Sequence, residues 1–345
     1  MASRPRRRPS GSPTLTTIAQ AAGVTVPTVS KVLNGRSDVS AAVRQEVGRL
    51  LRQAGYHVSI PGRDSAVLDG LVDLVVPGVE GSWASAMLSG VERVASKADR
   101  DLVVTVARDD APDQRDWVHR LIGRGSRGAV LALVTPTPAQ HSRLVRAGVR
   151  LVALDPGIDV GPGIATVGAT NWAGGYSATE HLIRLGHERI AAIAGVAAHR
   201  YSQARIDGYR SALAAAGLVA RPELVRHGDW SRALAERQAA RLLQLRHRPT
   251  AIFACSDRMA LGVYDAAAAL KVRIPDEVSV VGFDDLVEAQ WLTPGLTTMR
   301  QPVREMAAAA ARTLLQLMDG ERPDTHRLEL ATTLIERQST APAPG

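Results

Sequence analysis

The residue types that could perform chemistry lie in the C-terminal half of the sequence. The adjacent acids Asp284 and Asp285, together with Arg205 or His187, would suit a hydrolytic site. However, the chain has no GxSxG motif, no phosphate-binding P-loop, no GxGxxG fingerprint after a first strand and no His-rich metal spacing. The Gly-Pro-Gly run at 161–163 predicts a turn rather than a phosphate cradle. We therefore expect no catalysis, no cofactor and no metal, and interpret these polar residues as binding groups.

The net charge of +8 is concentrated near the N-terminus. Residues 1–63 contain ten Lys and Arg residues but only two acids, Asp38 and Glu46, so this segment carries the entire excess. Because basic side chains that neutralise phosphates release counterions, we expect this segment to bind nucleic acid. The run Arg4–Arg8 lies among Pro and Ser residues, and we expect residues 1–13 to form a basic disordered arm.

Three short helices are predicted to position the basic side chains. The first covers 17–22, with Thr16 as its N-cap, and ends at Gly23. The second begins after Thr25 with Pro27 in its first turn, and the third covers 41–53. Their buried stripe is predicted to comprise Ile18, Ala19, Ala22, Val29, Val32, Leu33, Val43, Val47, Leu50 and Leu51. Two short helices joined by a tight turn can place one helix in a DNA major groove, although a protein-interaction module is the alternative.

From Leu71 onward, short apolar runs alternate with helical stretches. This alternation predicts parallel sheets in an α/β fold with two lobes, at about 71–170 and 171–330. The predicted strands are 71–76, 102–107, 129–134, 151–155, 190–195, 251–256 and 278–283. The predicted helices are 83–98, 113–122, 138–147, 172–185, 201–216, 233–245 and 257–270. Ligands bind such folds at the carboxyl ends of strands and in gaps between lobes.

The composition favours a cytoplasmic protein. Cys255 is the only cysteine, which excludes an internal disulfide framework and any multi-cysteine metal site. The basic N-terminus is not followed by the apolar region of a secretory signal, and no apolar run approaches the roughly 18 residues of a membrane span.

Motifs along nearly the whole chain resemble those of the LacI/GalR family of transcription regulators. At the N-terminus they include Ile18-Ala19, Ala22-Gly23-Val24, the run from Thr28 to Gly35, Val39-Ser40 and Gly55-Tyr56. In the core they are 185–187, 205–209, 256–262, 280–285 and 296–302. The resemblance implies an all-α helix-turn-helix DNA-binding domain at 14–57 and a linker or hinge at 58–70. It also implies a two-lobed effector-binding and dimerisation domain at 71–338, with the periplasmic binding-protein fold.

The resemblance also implies roles in DNA binding. Val26, Pro27 and Lys31 occupy base-reading positions, where Lys31 can donate to guanine and the other two offer apolar contact. The residues implied to contact phosphate are Thr16, Thr25, Thr28, Ser30 and Asn34. In the linker, Pro61-Gly62 would interrupt the hinge helix that the family uses.

An effector site between the lobes is implied in the same way. Arg205 and Asp284 are expected to form charge-assisted hydrogen bonds with sugar hydroxyls, and Trp230 to stack on a sugar ring. The other implied contacts are Trp83, Asp155 and Ser256. Each residue has an alternative reading: Asp284 and Asp285 could cap a loop, Arg205 could form a surface ion pair, and the tryptophans could belong to the core.

The resemblance implies a homodimeric repressor that binds a near-palindromic operator and is released from it by a sugar. The alternative is corepression, in which the effector strengthens operator binding instead of weakening it. A sugar-binding protein without a DNA role is the alternative function, but the basic N-terminal segment counts against it. The end of the chain, 339–345, is expected to be a flexible tail, and the absence of a leucine heptad predicts no C-terminal coiled coil.

Overall fold

The structure is a computed structural model that describes residues 14–33, 39–53, 70–107, 116–161 and 163–344. The chain forms two compact units: a headpiece, described over 14–33 and 39–53, and an α/β domain that begins at Leu71. The predicted arm at 1–13, Asn34 and the linker from 58 to 69 lie outside the described residues.

The headpiece contains helices α1 (Leu15–Ala21), α2 (Val26–Leu33) and α3 (Ala41–Gln53). The prediction that Thr16 is the N-cap of α1 is wrong. The helix begins earlier because the Thr14 hydroxyl accepts a hydrogen bond from the Thr17 N–H at 3.3 Å. Gly23 follows α1 with φ +64°, a conformation that side chains with a Cβ rarely adopt.

The predicted apolar stripe of the headpiece is confirmed. Ile18, Ala19, Val29, Val32, Val47 and Leu51 are buried in one cluster, and Ala22, Leu33, Val43 and Leu50 pack against it. This small core fixes the three helices and leaves the opposite face of α2 exposed.

The α/β domain has two lobes built on largely parallel sheets, as the alternating pattern predicted, and each sheet has six strands. The first has the order β11-β5-β4-β3-β1-β2 and the second β12-β10-β9-β8-β6-β7. The strands are β1 (Leu71–Val76), β2 (Asp101–Val106), β3 (Gly128–Ala132), β4 (Arg150–Leu154), β5 (Ala165–Ala169), β6 (Ile190–Ala194), β7 (Val225–His227), β8 (Ala251–Ala254), β9 (Ser279–Asp284), β10 (Thr297–Arg300), β11 (Arg327–Leu330) and β12 (Thr333–Ile335). The described pairs are parallel except for β10 with β12.

Helices cover both sheets. They are α4 (Gly81–Lys97), α5 (Trp117–Arg124), α6 (Pro138–Arg146), α7 (Asn171–Arg184), α8 (Arg200–Ala215), α9 (Arg232–Leu243), α10 (Asp257–Ala269), α11 (Val287–Trp291) and α12 (Val303–Met318). Helices α4 and α12 bury one face of the first sheet, and α5 and α6 bury the other. None of the helices in the described part of the chain is long and apolar enough to cross a membrane.

The predicted boundary between the lobes is wrong beyond residue 300. Helix α12 packs on the first sheet through Met306, Ala307 and Leu314, and β11 pairs with β5 of that sheet. The chain therefore crosses between the lobes three times: after β5, after β10 and after β11. Residues 327–335 contain two strands, one in each sheet, and periodicity cannot show which sheet a segment joins.

The prediction of a flexible tail at 339–345 is wrong for the described residues up to 344. The Val280 N–H donates to the Ser339 carbonyl at 2.8 Å, and the Thr297 N–H donates to the buried Ser339 hydroxyl at 2.8 Å. The Ala343 N–H donates to the Leu185 carbonyl at 2.8 Å. Backbone pairing with the second lobe thus overrides the loop-forming composition of this segment.

Candidate functional site

Helix α2 presents its base-reading candidates to solvent. Val29 and Val32 face the headpiece core, whereas Val26 is 38 % exposed and Pro27 and Lys31 are also exposed. Pro27 and Lys31 are four residues apart and therefore share one face of the helix.

The described candidate phosphate contacts lie on α2, directly before it, and on the neighbouring helix α1. At its start, the hydroxyls of Thr25 and Thr28 lie 2.9 Å apart. Ser30 is half-buried on α2, and Thr16 is exposed on α1. The described hydroxyls therefore lie on α1, on α2 and directly before α2.

Arg205 is buried at the carboxyl edge of the second sheet. It is only 2 % exposed, so a surface ion pair is excluded. Its Nε donates to Asn171 Oδ1 at 2.8 Å, and one terminal nitrogen donates to the Cys255 carbonyl at 2.6 Å. The guanidinium carbon lies 3.7 Å from the centroid of the Phe283 ring. Arg205 thus connects the start of α7 with the ends of β8 and β9 at the carboxyl edge of the second sheet.

Two buried carboxylates accompany this guanidinium. Asp284 Oδ1 lies 3.7 Å from a terminal nitrogen of Arg205 and accepts a hydrogen bond from the Gln301 amide at 2.6 Å. Asp155 directly follows β4, with φ +48°. Burial raises the pKa of both carboxyls to about 6, and the Arg205 charge partly opposes this shift.

The neighbouring acids Asp285 and Asp257 have structural roles. Asp285 accepts hydrogen bonds from Arg300 at 2.7 Å and from Arg337 at 2.6 Å, which fix its loop to β10 and to the C-terminal segment. Asp257 accepts from the Thr298 hydroxyl and the Leu286 N–H, and burial raises its pKa well above the usual value. Asp284 is therefore the acid of the adjacent pair that faces Arg205.

An aromatic cluster lies beside Arg205. The Trp230 indole nitrogen donates to Nδ1 of His199 at 3.1 Å, and their rings are nearly parallel, with centroids 6.3 Å apart. The Tyr201 hydroxyl lies 2.9 Å from the same His199 nitrogen. The Trp230 ring centroid lies 5.7 Å from the guanidinium carbon of Arg205. An aromatic face and a hydrogen-bonding cluster thus occupy one region of the cleft.

Trp83 and Ser256, the other two residues implied to contact the effector, have roles in packing and helix capping in the structure. Trp83, in the first turn of α4, is partly buried against the core of the first lobe. The Ser256 hydroxyl accepts from the Met259 N–H at 3.1 Å and caps α10. Their ligand contacts stay predictions, whereas Asp155, Arg205, Trp230 and Asp284 are brought together.

Two cavities have walls from both lobes. The Asp155 cavity, of about 390 Å³, is lined by residues that include Asp155, Asn171, Trp172 and Tyr201. The Asp284 cavity, of about 820 Å³, is lined by residues that include Ser82, Ser85, Asp284, Glu288 and Gln301.

Direct contacts bridge the lobes near these cavities. The Arg200 N–H of the second lobe donates to the Gly157 carbonyl of the first at 2.7 Å, and the Arg200 side chain pairs with Asp159 at 3.3 Å. On the side of the Asp284 cavity, the Ser82 hydroxyl of the first lobe donates to the Glu288 carboxylate of the second. The two lobes are thus held together in a specific arrangement.

An exposed helix on a small three-helix core, joined in one chain to a polar cleft between two parallel-sheet lobes, defines a ligand-responsive DNA-binding regulator. Comparison with known proteins agrees. Residues 14–59 match the family described as "Bacterial regulatory proteins, lacI family", and residues 179–340 match "Periplasmic binding protein-like domain". The chain belongs to the LacI family and is a DNA-binding transcriptional regulator.

Similar proteins extend over almost the entire chain. The ribose operon repressor of Haemophilus influenzae is 30% identical over 94% of this chain and 98% of its own length. The HTH-type transcriptional repressor PurR of Erwinia tasmaniensis is 29% identical over 96% and 98%. Among solved structures, the CelR–cellobiose complex is 32% identical with a TM-score of 0.70, covering 95% of this chain and 99% of that one. The lac repressor dimer bound to operator and the anti-inducer ONPF is 27% identical with a TM-score of 0.69, at the same coverage.

Several cleft residues were missed by sequence reasoning. Tyr201 lies one helical turn before Arg205 on α8, and Gln301 lies within the motif at 296–302, so both positions carried a usable signal. His199, Asn171 and Glu288 have no such signal, because their roles depend on partners that are distant in sequence.

Proposed function

We propose that this protein is a homodimeric repressor that leaves its operator when an uncharged sugar binds between the lobes of 71–338. The observation that carries the proposal is the group of Arg205, Asp284 and Asp155 beside the aromatic ring of Trp230. Carboxylates accept from hydroxyls, a guanidinium donates to them, and an indole face packs against a sugar ring.

Two relatives support a sugar as the ligand. A solved relative is a complex with cellobiose, and another relative is named as a ribose operon repressor. Both cover almost the whole of this chain, so the comparison includes the cleft as well as the headpiece.

Operator recognition is proposed to depend on α2. Lys31 donates to a base edge, Val26 and Pro27 contact a thymine methyl group, and Thr25 and Thr28 bind phosphate. A homodimer would present two such helices to two half-sites of a near-palindromic operator.

The sugar site and the operator-binding headpiece are coupled if the sugar binds one arrangement of the lobes more tightly than the other. The bridging contacts Arg200–Gly157 and Ser82–Glu288 belong to one lobe arrangement. A sugar that prefers one arrangement shifts the population toward it, and operator affinity then changes by the same coupling free energy.

The test uses an operator selected from random duplexes with the full-length protein. Fluorescence anisotropy would measure operator affinity with and without a panel of mono- and disaccharides. We expect Arg205→Ala to retain operator binding and to lose the sugar response. Arg210→Ala, on the same helix but exposed and paired with Asp207, is the matched control and should respond normally. A normal response in Arg205→Ala would remove Arg205 from the site.

A further inference from the structure

A basic groove lies between α4 and α12, the two helices that cover one face of the first sheet. It encloses about 330 Å³ and is lined by Arg93, Val94, Lys97, Ala98 and Arg312. The three charged side chains of this lining are all cations, and all three are exposed. None of them forms an ion pair with another of the described residues. The groove is therefore suited to an anion that comes from outside the α/β domain.

The packing of α4 on α12 brings the three cations together. A Cβ at Gly90 of α4 would lie 2.8 Å from Cβ of Ala307 on α12, so the helices approach closely because residue 90 is a glycine. Arg93 and Lys97 follow on α4 and, being four residues apart, share one face of the helix. Like charges at this spacing repel each other, and a bound phosphate would relieve the repulsion.

The basic groove lies near the edge of the first sheet at which the chain enters the α/β domain. Leu71 begins β1 and pairs with Asp101, the first residue of β2, which follows Lys97 by four residues. Helix α12 ends at the same edge, because a Cβ at Gly128, the first residue of β3, would lie 2.7 Å from Sδ of Met318. Both helices therefore run toward the edge that is joined in sequence to the headpiece.

This position favours DNA as the anion. The headpiece belongs to a DNA-binding family, and only 17 residues separate Gln53, at the end of α3, from Leu71. A short tether keeps a bound duplex near its attachment point and raises its effective concentration to about the millimolar range. Contacts that are too weak to hold DNA by themselves then add to operator affinity. Asp319, which follows α12, is paired with Arg100 at 3.3 Å and is not available to neutralise the groove.

We propose that the basic groove of Arg93, Lys97 and Arg312 binds the phosphate backbone of the DNA that the headpiece holds. The α/β domain thus makes a second contact with the duplex, which carries affinity without reading sequence. Each groove neutralises about one or two phosphates, and the proposed dimer has two grooves. This inference rests on the proposed operator binding and does not depend on the sugar response.

The experiment measures how steeply operator affinity falls with salt. The duplex carries the selected operator, extended by about 20 base pairs, or two helical turns, on each side. The groove variant combines Arg93→Gln, Lys97→Gln and Arg312→Gln, because Gln removes the charge and keeps a long side chain that suits a helix. Fluorescence anisotropy at a series of KCl concentrations gives the slope of log affinity against log salt. We expect this slope to become shallower by about 2 to 4 and the affinity at low salt to fall at least about tenfold, since each lost phosphate contact reduces the slope by about 0.9.

The matched control combines Arg237→Gln, Arg241→Gln and Arg246→Gln in the second lobe. These arginines are exposed, and Arg237 and Arg241 are four residues apart on α9, as Arg93 and Lys97 are on α4. The control removes the same net charge, so its slope should stay close to that of the unaltered protein. Because all the altered side chains are exposed, both variants should unfold at the temperature of the unaltered protein. Both should also keep the preference for the selected operator over its single-base variants.

The outcomes separate this inference from operator recognition by α2. Equal slopes for the groove variant and the control would overturn the inference and leave operator recognition intact. A loss of operator preference in the groove variant would also overturn it, because phosphate contacts do not read sequence. Titration with polyglutamate tests an acidic protein segment as the partner instead. If the groove variant loses only polyglutamate binding and keeps the full DNA slope, the groove serves such a partner and not DNA. Failure of the unaltered protein to bind any duplex would overturn both the inference and the operator recognition.

Discussion

The indole N–H of Trp230 donates to Nδ1 of His199 at 3.1 Å. An indole nitrogen can only donate, so Nδ1 of His199 must be unprotonated in this arrangement, and burial lowers the pKa of His199 in agreement. The His199 ring also packs against the backbone of Gly157, which belongs to the first lobe. His199 therefore connects the orientation of the aromatic ring of the site with the contact between the lobes.

The close packing of Trp230 on Gly195 predicts a loss of effector binding in Gly195→Ala. A Cβ at residue 195 would lie 1.9 Å from Cζ2 of Trp230, so the indole ring must move. We expect effector affinity to fall at least about tenfold while operator affinity is unchanged, because displaced contact groups are costly. Calorimetry and anisotropy would measure the two affinities.

Gly78→Ala is the control for this substitution. A Cβ at residue 78 would meet nothing within 4 Å, so this variant should bind the effector normally. Unchanged effector affinity in Gly195→Ala would show that Trp230 does not contact the ligand.

The buried carboxyl of Asp155 predicts a stability gain in Asp155→Asn that depends on pH. Burial raises the pKa of Asp155 from 3.8 to about 6 in the folded chain, whereas the unfolded chain titrates at the ordinary value. Above pH 6 the ionised group therefore opposes folding, and between about pH 4 and 6 the folded state binds more protons than the unfolded state. Asn resembles the protonated carboxyl, so Asp155→Asn removes the free-energy cost of burying an ionised carboxylate. We expect the free energy of unfolding to rise by about 1–3 kcal/mol at pH 8.

The gain should disappear as the pH falls from about 6 toward 4, where the native carboxyl is itself protonated. Urea unfolding across this range would measure it, with the exposed Asp324→Asn as the control. A gain of equal size at every pH, or a loss at pH 8, would contradict the assigned cause.

The described part of the headpiece could be predicted from sequence almost completely because its structure is local. The apolar spacing predicted α3 with the observed bounds, and every predicted core residue is either buried in the cluster or packed against it. The error at Thr16 arose because Thr14 has the same capping chemistry and lies earlier in the chain.

The cleft could be predicted only in part because its remaining contacts are non-local. Strand β5 has the sequence Ala-Thr-Val-Gly-Ala, whose weak apolar character gives little strand signal. The return of α12 to the first lobe depends on packing that periodicity does not encode. Glu288 could not be identified because its partner Ser82 is 206 residues away.

The packed C-terminal segment predicts that deletion of 339–345 destabilises the protein. The deletion removes the Ser339 bonds to Val280 and Thr297 and the Ala341 carbonyl that accepts from Nε2 of His187 at 3.1 Å. We expect the free energy of unfolding to fall by about 2–4 kcal/mol, since several buried groups lose their partners together. Deletion of 344–345 alone is the control and should have little effect. Equal stability of both truncated proteins would show that the segment contributes nothing to folding.

Lys31 is the only charged residue on α2, and it predicts a localised change in operator specificity. Val26 and Pro27 can offer a base only apolar contact, so loss of the Lys31 ammonium should relax the preference at one position of each half-site. We expect Lys31→Ala to weaken binding to the selected operator by about 1–3 kcal/mol and to bind duplexes altered at that position with nearly equal affinity. Anisotropy titrations against single-base operator variants would measure this pattern. Lys271→Ala, in the α/β domain, is the control and should retain the full preference. Uniform weakening across all duplexes, with a smaller salt dependence, would instead place Lys31 on a phosphate, because phosphate contacts carry affinity without reading sequence.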